Sequence, residues 1–192
     1  MGEGALLVGF IIAQRLAELA LARANTRWLL AAGGIEFGRS HYPLIVALHV
    51  AWLVCLVIFG ADRPVDHWLL AIFVLLQLAR AWTIASLDRR WTTRVIVVPG
   101  EPRVTRGPYR LLRHPNYWIV AAEFLVVPLA LGLPMVAVIF FVLNAILLLA
   151  VRIRAEEAAL DWAEAANATA DAASAPQAGG SAATLANVPP SL

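Results

Sequence analysis

The chain has 192 residues, of which 61% are hydrophobic and only 15% charged, and its mean hydropathy is +0.75. Soluble domains average roughly half apolar and a quarter charged residues, and one core of this size cannot hide so much apolar surface from water, so a soluble globular protein is excluded. The formal net charge is +2 with every one of the 15 basic residues an Arg. This basic charge reads as membrane topology, and no nucleic-acid partner is expected.

Crossing hydrocarbon takes roughly 20 apolar residues of α-helix, and five stretches qualify: residues 5–24, 43–60, 67–86, 118–132 and 134–153. They predict an all-α integral membrane protein with five transmembrane helices and a domain over residues 1–166. The amino terminus, MGEGALLVGF, lacks the basic n-region and cleavage site of a signal peptide, so insertion without processing is expected. The fourth span is short, and Leu133-Pro134 after Gly132 leaves little loop, so spans four and five form a tight hairpin with Pro134 opening the returning helix.

Between spans three and four, residues 87–117 carry Arg89, Arg90, Arg94, Arg103, Arg106, Arg110 and Arg113. The positive-inside rule places this segment in the cytoplasm, the amino terminus outside and the carboxyl terminus inside, in agreement with Arg152 and Arg154 after span five. The Thr, Val and Ile of RRWTTRVIVVPG suit a short extended piece. Beyond Arg154, AEEAALDWAEAA repeats apolar residues at i, i+3/i+4 and predicts an amphipathic extension of span five. From Asn167 to residue 192 the sequence is Ala-, Ser-, Gly- and Pro-rich without periodicity, and reads as a disordered tail.

Several polar residues fall inside the spans. Gln14, Arg15 and Glu18 share a face of span one, with Arg15 and Glu18 at ion-pair spacing; His49, Gln77, Arg80, Glu123 and Asn144 lie in the others. At that depth they face the protein interior, either as interhelical hydrogen bonds or as functional groups, and Arg15 and Arg80 can also snorkel. Cys55 is alone, and His41, His49, His67 and His114 have no metal-ligand spacing, so no metal is expected.

The most unusual local sequence is GPYRLLRHPNYW, residues 107–118, where the basic segment meets the membrane. Two X-Pro steps and closely spaced aromatics predict a stiff, non-helical backbone. It is either a rigid turn anchored by interfacial aromatics or a binding element offering His114, Tyr109 and Tyr117 to a polar ligand. On the last span, Arg152 and Glu156 stand at i and i+4, readable as a solvated ion pair or as an anion- and a cation-binding group facing that loop.

Arg113-His114-Pro115-Asn116-Tyr117 with a later Glu156-Glu157 resembles the isoprenylcysteine carboxyl methyltransferase family, whose members share RHPxY and a downstream EE. QRLAELALARAN, GGIEFGRSHYPLIVALH, LARAWTIASLDRRWTTRVIVVPG and RGPYRLLRHPNYWIVAAEFLVVPLALG are similar to its bacterial branch, and the resemblance runs from Gln14 to Leu160. Asp88 departs from that branch, which usually has Gly there.

The resemblance implies S-adenosylmethionine as cofactor, enclosed by Val104, Tyr109, His114, Pro115, Asn116, Tyr117 and Glu156 in a cytoplasmic segment against the inner membrane, with Arg152 toward the lipid substrate. Arg94 falls at another cofactor-lining position but differs in residue type. The acceptor is then a carboxylate or phenolic oxygen on a prenylated or long-alkyl molecule, and Glu157 and Glu123 are candidate bases for a phenol. Two other classes compete: a membrane reductase of the steroid reductase type, with Arg89, Arg90 and Arg94 holding an NADPH 2′-phosphate, and a lipid-binding or transport protein with Arg15, Glu18 and Glu123 lining a path.

Overall fold

The structure, a computed structural model, describes residues 2–174. α1 (Glu3–Ala31) is followed by β1 (Ile35–Phe37), α2 (Tyr42–Gly60) and α3 (His67–Leu87), then by β2 (Val95–Val97), α4 (Pro115–Ala130), α5 (Pro134–Leu147) and α6 (Ile153–Ser174). Four helical segments are long and apolar enough to cross a membrane, and the chain is an integral membrane protein: α1, α2, α3 with the turn after it, and α5 running into α6. Side chains such as Ile58, Leu75, Leu78 and Leu149 stand outward, as lipid-facing positions require.

The fourth predicted span differs from expectation. α4 begins three residues early, at Pro115, and its 16 residues are fewer than the roughly 20 a crossing needs. The non-helical backbone expected over residues 107–118 therefore holds only for residues 111–114: Gly107–Arg110 form a 3-10 turn, and Pro115 is compatible with the first turn of a helix and pre-sets its φ. α4 packs between α3 and α5, and Phe124 and Val127 join Ile11, Trp52 and Leu56 in the apolar core. Trp52 stacks on Phe124 at 4.7 Å.

The fifth span also departs from a straight rod. Its α-helical turns end at Leu147, Leu148–Arg152 form a π-helical turn, and α6 continues to Ser174. π-turns rotate the residues beyond them relative to the helix face before them, and this one ends on Arg152. The expected amphipathic extension is present, and the helix continues through Asn167; the rest of the predicted tail, residues 175–192, lies outside the described residues.

Predominantly helical, the fold also contains a two-stranded antiparallel sheet, pairing Ile35 with Val97 and Phe37 with Val95. The extended piece around Val95 was legible in the sequence, whereas its partner β1, three residues between Gly34 and Gly38, was not. Ala155, Ala159 and Ala163 recur on one face of α6 and are buried, which lets the helix lie against Phe37 and Val95. Trp162 closes over Phe37 at 5.5 Å. Asn25 donates to the Trp91 carbonyl (2.7 Å), and Thr26 bonds Thr92 (2.8 Å), so the segment after α3 is tied to α1.

Candidate functional site

Three sequence features bring one site together. Gly107, at φ +60°, starts a 3-10 turn over Gly107–Arg110; a Cβ there would collide with Ser86, so only Gly allows the turn to sit on α3. Arg106 donates to the Ser86 carbonyl at 2.8 Å and holds the same junction. Pro115 then opens α4 and points Asn116 and Tyr117 toward α6, where Glu156 and Arg152 approach from the other side.

Between these elements lies a cavity of about 350 Å³ whose lining includes Val104, Tyr109, Asn116, Tyr117, Arg152 and Glu156. That volume falls in the range of small-molecule sites, about 300–1,000 Å³. The Tyr117 hydroxyl donates to Glu156 Oε2 and accepts from Arg152 Nε at 3.0 Å, giving a continuous chain from guanidinium to phenol to carboxylate. His114 stands behind this chain rather than in the lining. Its ring stacks on Tyr117 at 5.5 Å, with Nδ1 3.4 Å from Glu156 Oε1 and Nε2 3.7 Å from Glu157 Oε1.

The electrostatics follow from these contacts. Glu156, close on Nδ1, lifts the His114 imidazole above its ordinary value, against the opposing effect of burial. Burial pushes the Glu156 carboxyl upward, but His114, Tyr117 and Arg152 together outweigh it and hold the group below the usual carboxylate range. Burial, reinforced by Glu156, pushes the Tyr109 phenol well up, so it is a neutral wall. Arg152 is 7% exposed and, among the described residues, has no carboxylate within 4.0 Å. A buried guanidinium with no carboxylate in direct contact keeps donors free for the cavity, so this position suits an anionic or strongly polar ligand oxygen. Asn116 Oδ1, also buried, has no partner.

The remaining sequence candidates are distributed elsewhere. Pro115 sets the start of α4 and is not in the lining. Glu157 lies 3.9 Å from Arg113, outside the cavity. Glu123 is fully buried well inside the helices and is held by Arg15 at 2.5 Å, by Gln77 at 2.7 Å and by two nitrogens of Arg80. Glu18 accepts from Arg15 at 2.7 Å, from Arg80 at 3.3 Å and from Gln14 at 2.9 Å. Arg15 and Arg80 therefore do not snorkel; they and the two carboxylates form a neutral cluster joining α1, α3 and α4. Arg94 lines the cavity, yet its charge is taken by Glu36 at 2.9 Å and by the Tyr42 ring.

Sequence reasoning passed over Glu164 and Asn167, which line the cavity with Glu156, Leu160 and Ala163. The signal was available: 156, 160, 163, 164 and 167 are the i, i+4, i+7, i+8 and i+11 positions of one helical face. Asn167 also accepts from the Gly100 amide at 2.6 Å, tying α6 to the loop after β2.

Residues 69–162 match the sequence profile of the isoprenylcysteine carboxyl methyltransferase family. The chain is similar to the uncharacterized protein YpbQ of Bacillus subtilis, 41% identical over 160 residues that cover 81% of this chain and 95% of that one. An uncharacterized protein of Haemophilus influenzae is 26% identical over 160 residues, 78% of this chain and 90% of the relative. No solved structure gives a significant match. The matched region takes in α3 from its first turns, the basic segment, α4, α5 and α6 through Trp162, which are the elements that build the cavity. With this match, the chain belongs to the isoprenylcysteine carboxyl methyltransferase family of membrane methyltransferases.

Proposed function

We propose that the protein transfers a methyl group from S-adenosylmethionine to an oxygen of a lipophilic acceptor at the inner face of a bacterial plasma membrane, with the amino terminus outside and the carboxyl terminus in the cytoplasm. The observation that carries this reading is the Arg152–Tyr117–Glu156 chain in a cavity at the base of α4, where a buried guanidinium has no carboxylate in direct contact. The residues present fit the cofactor. Glu156 offers a carboxylate to its cationic portion, Asn116 Oδ1 is a buried polar atom without a hydrogen-bond partner, and Tyr109 and Val104 wall the cavity.

When bound, the cofactor supplies a methyl group on a positively charged sulfur, already activated for transfer. What the chain must add is alignment, because in-line displacement depends mainly on positioning its partners. Tyr117 and His114 hold Glu156 in one orientation, while Arg152 orients the acceptor oxygen and favours its anionic form. A carboxylate is ionised at pH 7, whereas a phenol, with a reference value near 10, needs that stabilisation. A site between the basic cytoplasmic segment and the spans admits a polar cofactor from water and a prenyl or long-alkyl acceptor from lipid. The reductase alternative fares worse, since Arg90 is paired with Glu101 at 2.7 Å, Arg94 with Glu36, and Arg89 lies over Trp28.

Calorimetric titration of detergent-solubilised protein with S-adenosylhomocysteine tests the reading. Binding is expected, weakened at least about tenfold, or about 1.4 kcal/mol, by Glu156→Ala. A folded protein that binds NADPH and not S-adenosylhomocysteine overturns it. Labelling of cysteines placed at residues 2 and 100 from one side of the membrane reads the orientation.

A further inference from the structure

His41 precedes α2 and is absent from the cavity lining. Its imidazole is enclosed by Gly38 and α6: a Cβ at Gly38, where φ is +61°, would lie 2.6 Å from His41 Nε2 and 3.2 Å from the Ala155 methyl. Only glycine leaves room for the ring at this position. Ala155 stands three residues beyond Arg152, and residues at that spacing are neighbours on a helix surface. The imidazole thus lies against the stretch of α6 next to Arg152, near enough for the guanidinium charge to act on it. Burial, with the Arg152 charge adding to it, holds His41 below its ordinary value and so in the neutral form at pH 7.

His41 Nε2 is shut off from water and has no hydrogen-bond partner. On adjacent elements, among the described residues, Arg152 has only Nε engaged, by Tyr117, and no carboxylate in contact, while the His41 imidazole nitrogen has no donor at all. Buried polar groups in folded proteins are satisfied with few exceptions, and each exception calls for a water, an ion or a functional role. A single ligand satisfies both when it offers an oxygen to the cation and a hydrogen to the nitrogen. A hydroxyl does so; a carboxylate supplies only the oxygen.

We propose that His41 is a catalytic residue on the acceptor side of the site, its neutral Nε2 taking the proton of a hydroxyl acceptor whose oxygen is held by Arg152. This rests on the methyl-transfer reading above. The O–H bond breaks with both electrons left on oxygen, and the proton goes to Nε2. The oxygen forms its bond to the methyl carbon as the carbon–sulfur bond breaks, the sulfur keeping that pair and losing its charge. The imidazolium, partly exposed on its Nδ1 side, then releases the Nδ1 proton to water.

His41→Gln, with His41→Asn as a second variant should the first not fold, separates a proton acceptor from a packing residue. Wild type and variant are compared with three long-chain acceptors: an alkylphenol, an alkyl nitrophenol already ionised at the assay pH, and an alkyl carboxylate. S-adenosylhomocysteine affinity is measured by calorimetry on the same samples. The expected result is a loss of at least about tenfold in kcat for the phenol, with rates for the two ionised acceptors and the affinity for S-adenosylhomocysteine within about twofold of wild type. A readout without turnover is the absorbance of bound nitrophenol in the absence of cofactor: the variant should ionise it at a higher pH than wild type. Equal losses for all three acceptors, or an unchanged phenol rate, with S-adenosylhomocysteine binding intact, would overturn the role of His41 alone. Absence of S-adenosylhomocysteine binding by wild type would overturn the methyl-transfer reading and this proposal with it.

Discussion

Replacing Glu123 by Gln tests whether the cluster of Gln14, Arg15, Glu18, Gln77, Arg80 and Glu123 anchors α4 or takes part in chemistry. The wild-type cluster sets two guanidiniums against two carboxylates, and Glu123, with no exposed surface, accepts from both arginines and from Gln77. Glutamine keeps the volume but removes one charge and presents an amide NH2 to a guanidinium. Arg15 and Arg80 would then share Glu18 alone, at 2.7 and 3.3 Å, leaving a net positive charge buried. Removing one member of a buried ion pair costs about 3–5 kcal/mol. For a chain of this size that corresponds to a drop of about 6–20 °C in Tm. Tryptophan fluorescence during thermal unfolding in one detergent measures it. The double variant Glu123→Gln/Arg80→Gln restores neutrality and is expected to be at least about 1 kcal/mol more stable than the sum of the single changes. Glu123→Gln protein that remains folded should bind S-adenosylhomocysteine normally, since the residue lies outside the cavity. A Tm within about 3 °C of wild type would refute the ion-paired cluster, and loss of cofactor affinity in folded protein would refute its purely structural role.

Two further outcomes follow from local geometry. Asp88 ends α3 at φ +52°, ψ −129°, a conformation that costs a residue with a Cβ about 1–3 kcal/mol; Asp88→Gly is expected to raise Tm by several degrees in the same assay, and an unchanged or lower Tm would show the backbone there to be unstrained. The His114–Glu156 contact gives a signed pH dependence. His114 is raised above 6.5 and Glu156 held below 4.5, so the contribution of His114 is fully present below pH 6.5 and lost as pH rises through its folded value, while that of Glu156 is lost as pH falls through its own. The stability difference between wild type and His114→Gln should therefore shrink from pH 6 to pH 8.5, and a difference that grows over this range would contradict the assignment.

The candidate site was unevenly legible in the sequence. Tyr117, Arg152 and Glu156 stand out as a motif and an i, i+4 pair, and the structure brings them into one hydrogen-bonded chain. Glu123 carries the same signal of an acid in an apolar helix, yet its role depends on two arginines 108 and 43 residues away, and no local pattern specifies such partners. His41 gave no signal beyond being a histidine. Its position matters only because Gly38 turns the chain and the alanine face of α6 lets β1 come close.

Composition and hydropathy by themselves determined that this chain lives in a membrane, since apolar surface on this scale has no aqueous solution, and where α1, α2 and α3 run, while helical periodicity determined the course of α6. Both are local or summed properties of the chain. Tertiary structure alone decided that α4 starts at Pro115 and packs between α3 and α5, that β1 exists to pair with β2, and that the π-turn brings Arg152 to Tyr117. Each of these is settled by a partner distant in sequence: the walls α3 and α5 give α4 a place to pack, three residues of strand have no stability without a second strand and a helix over them, and a rotated turn persists only where its side chain finds a contact.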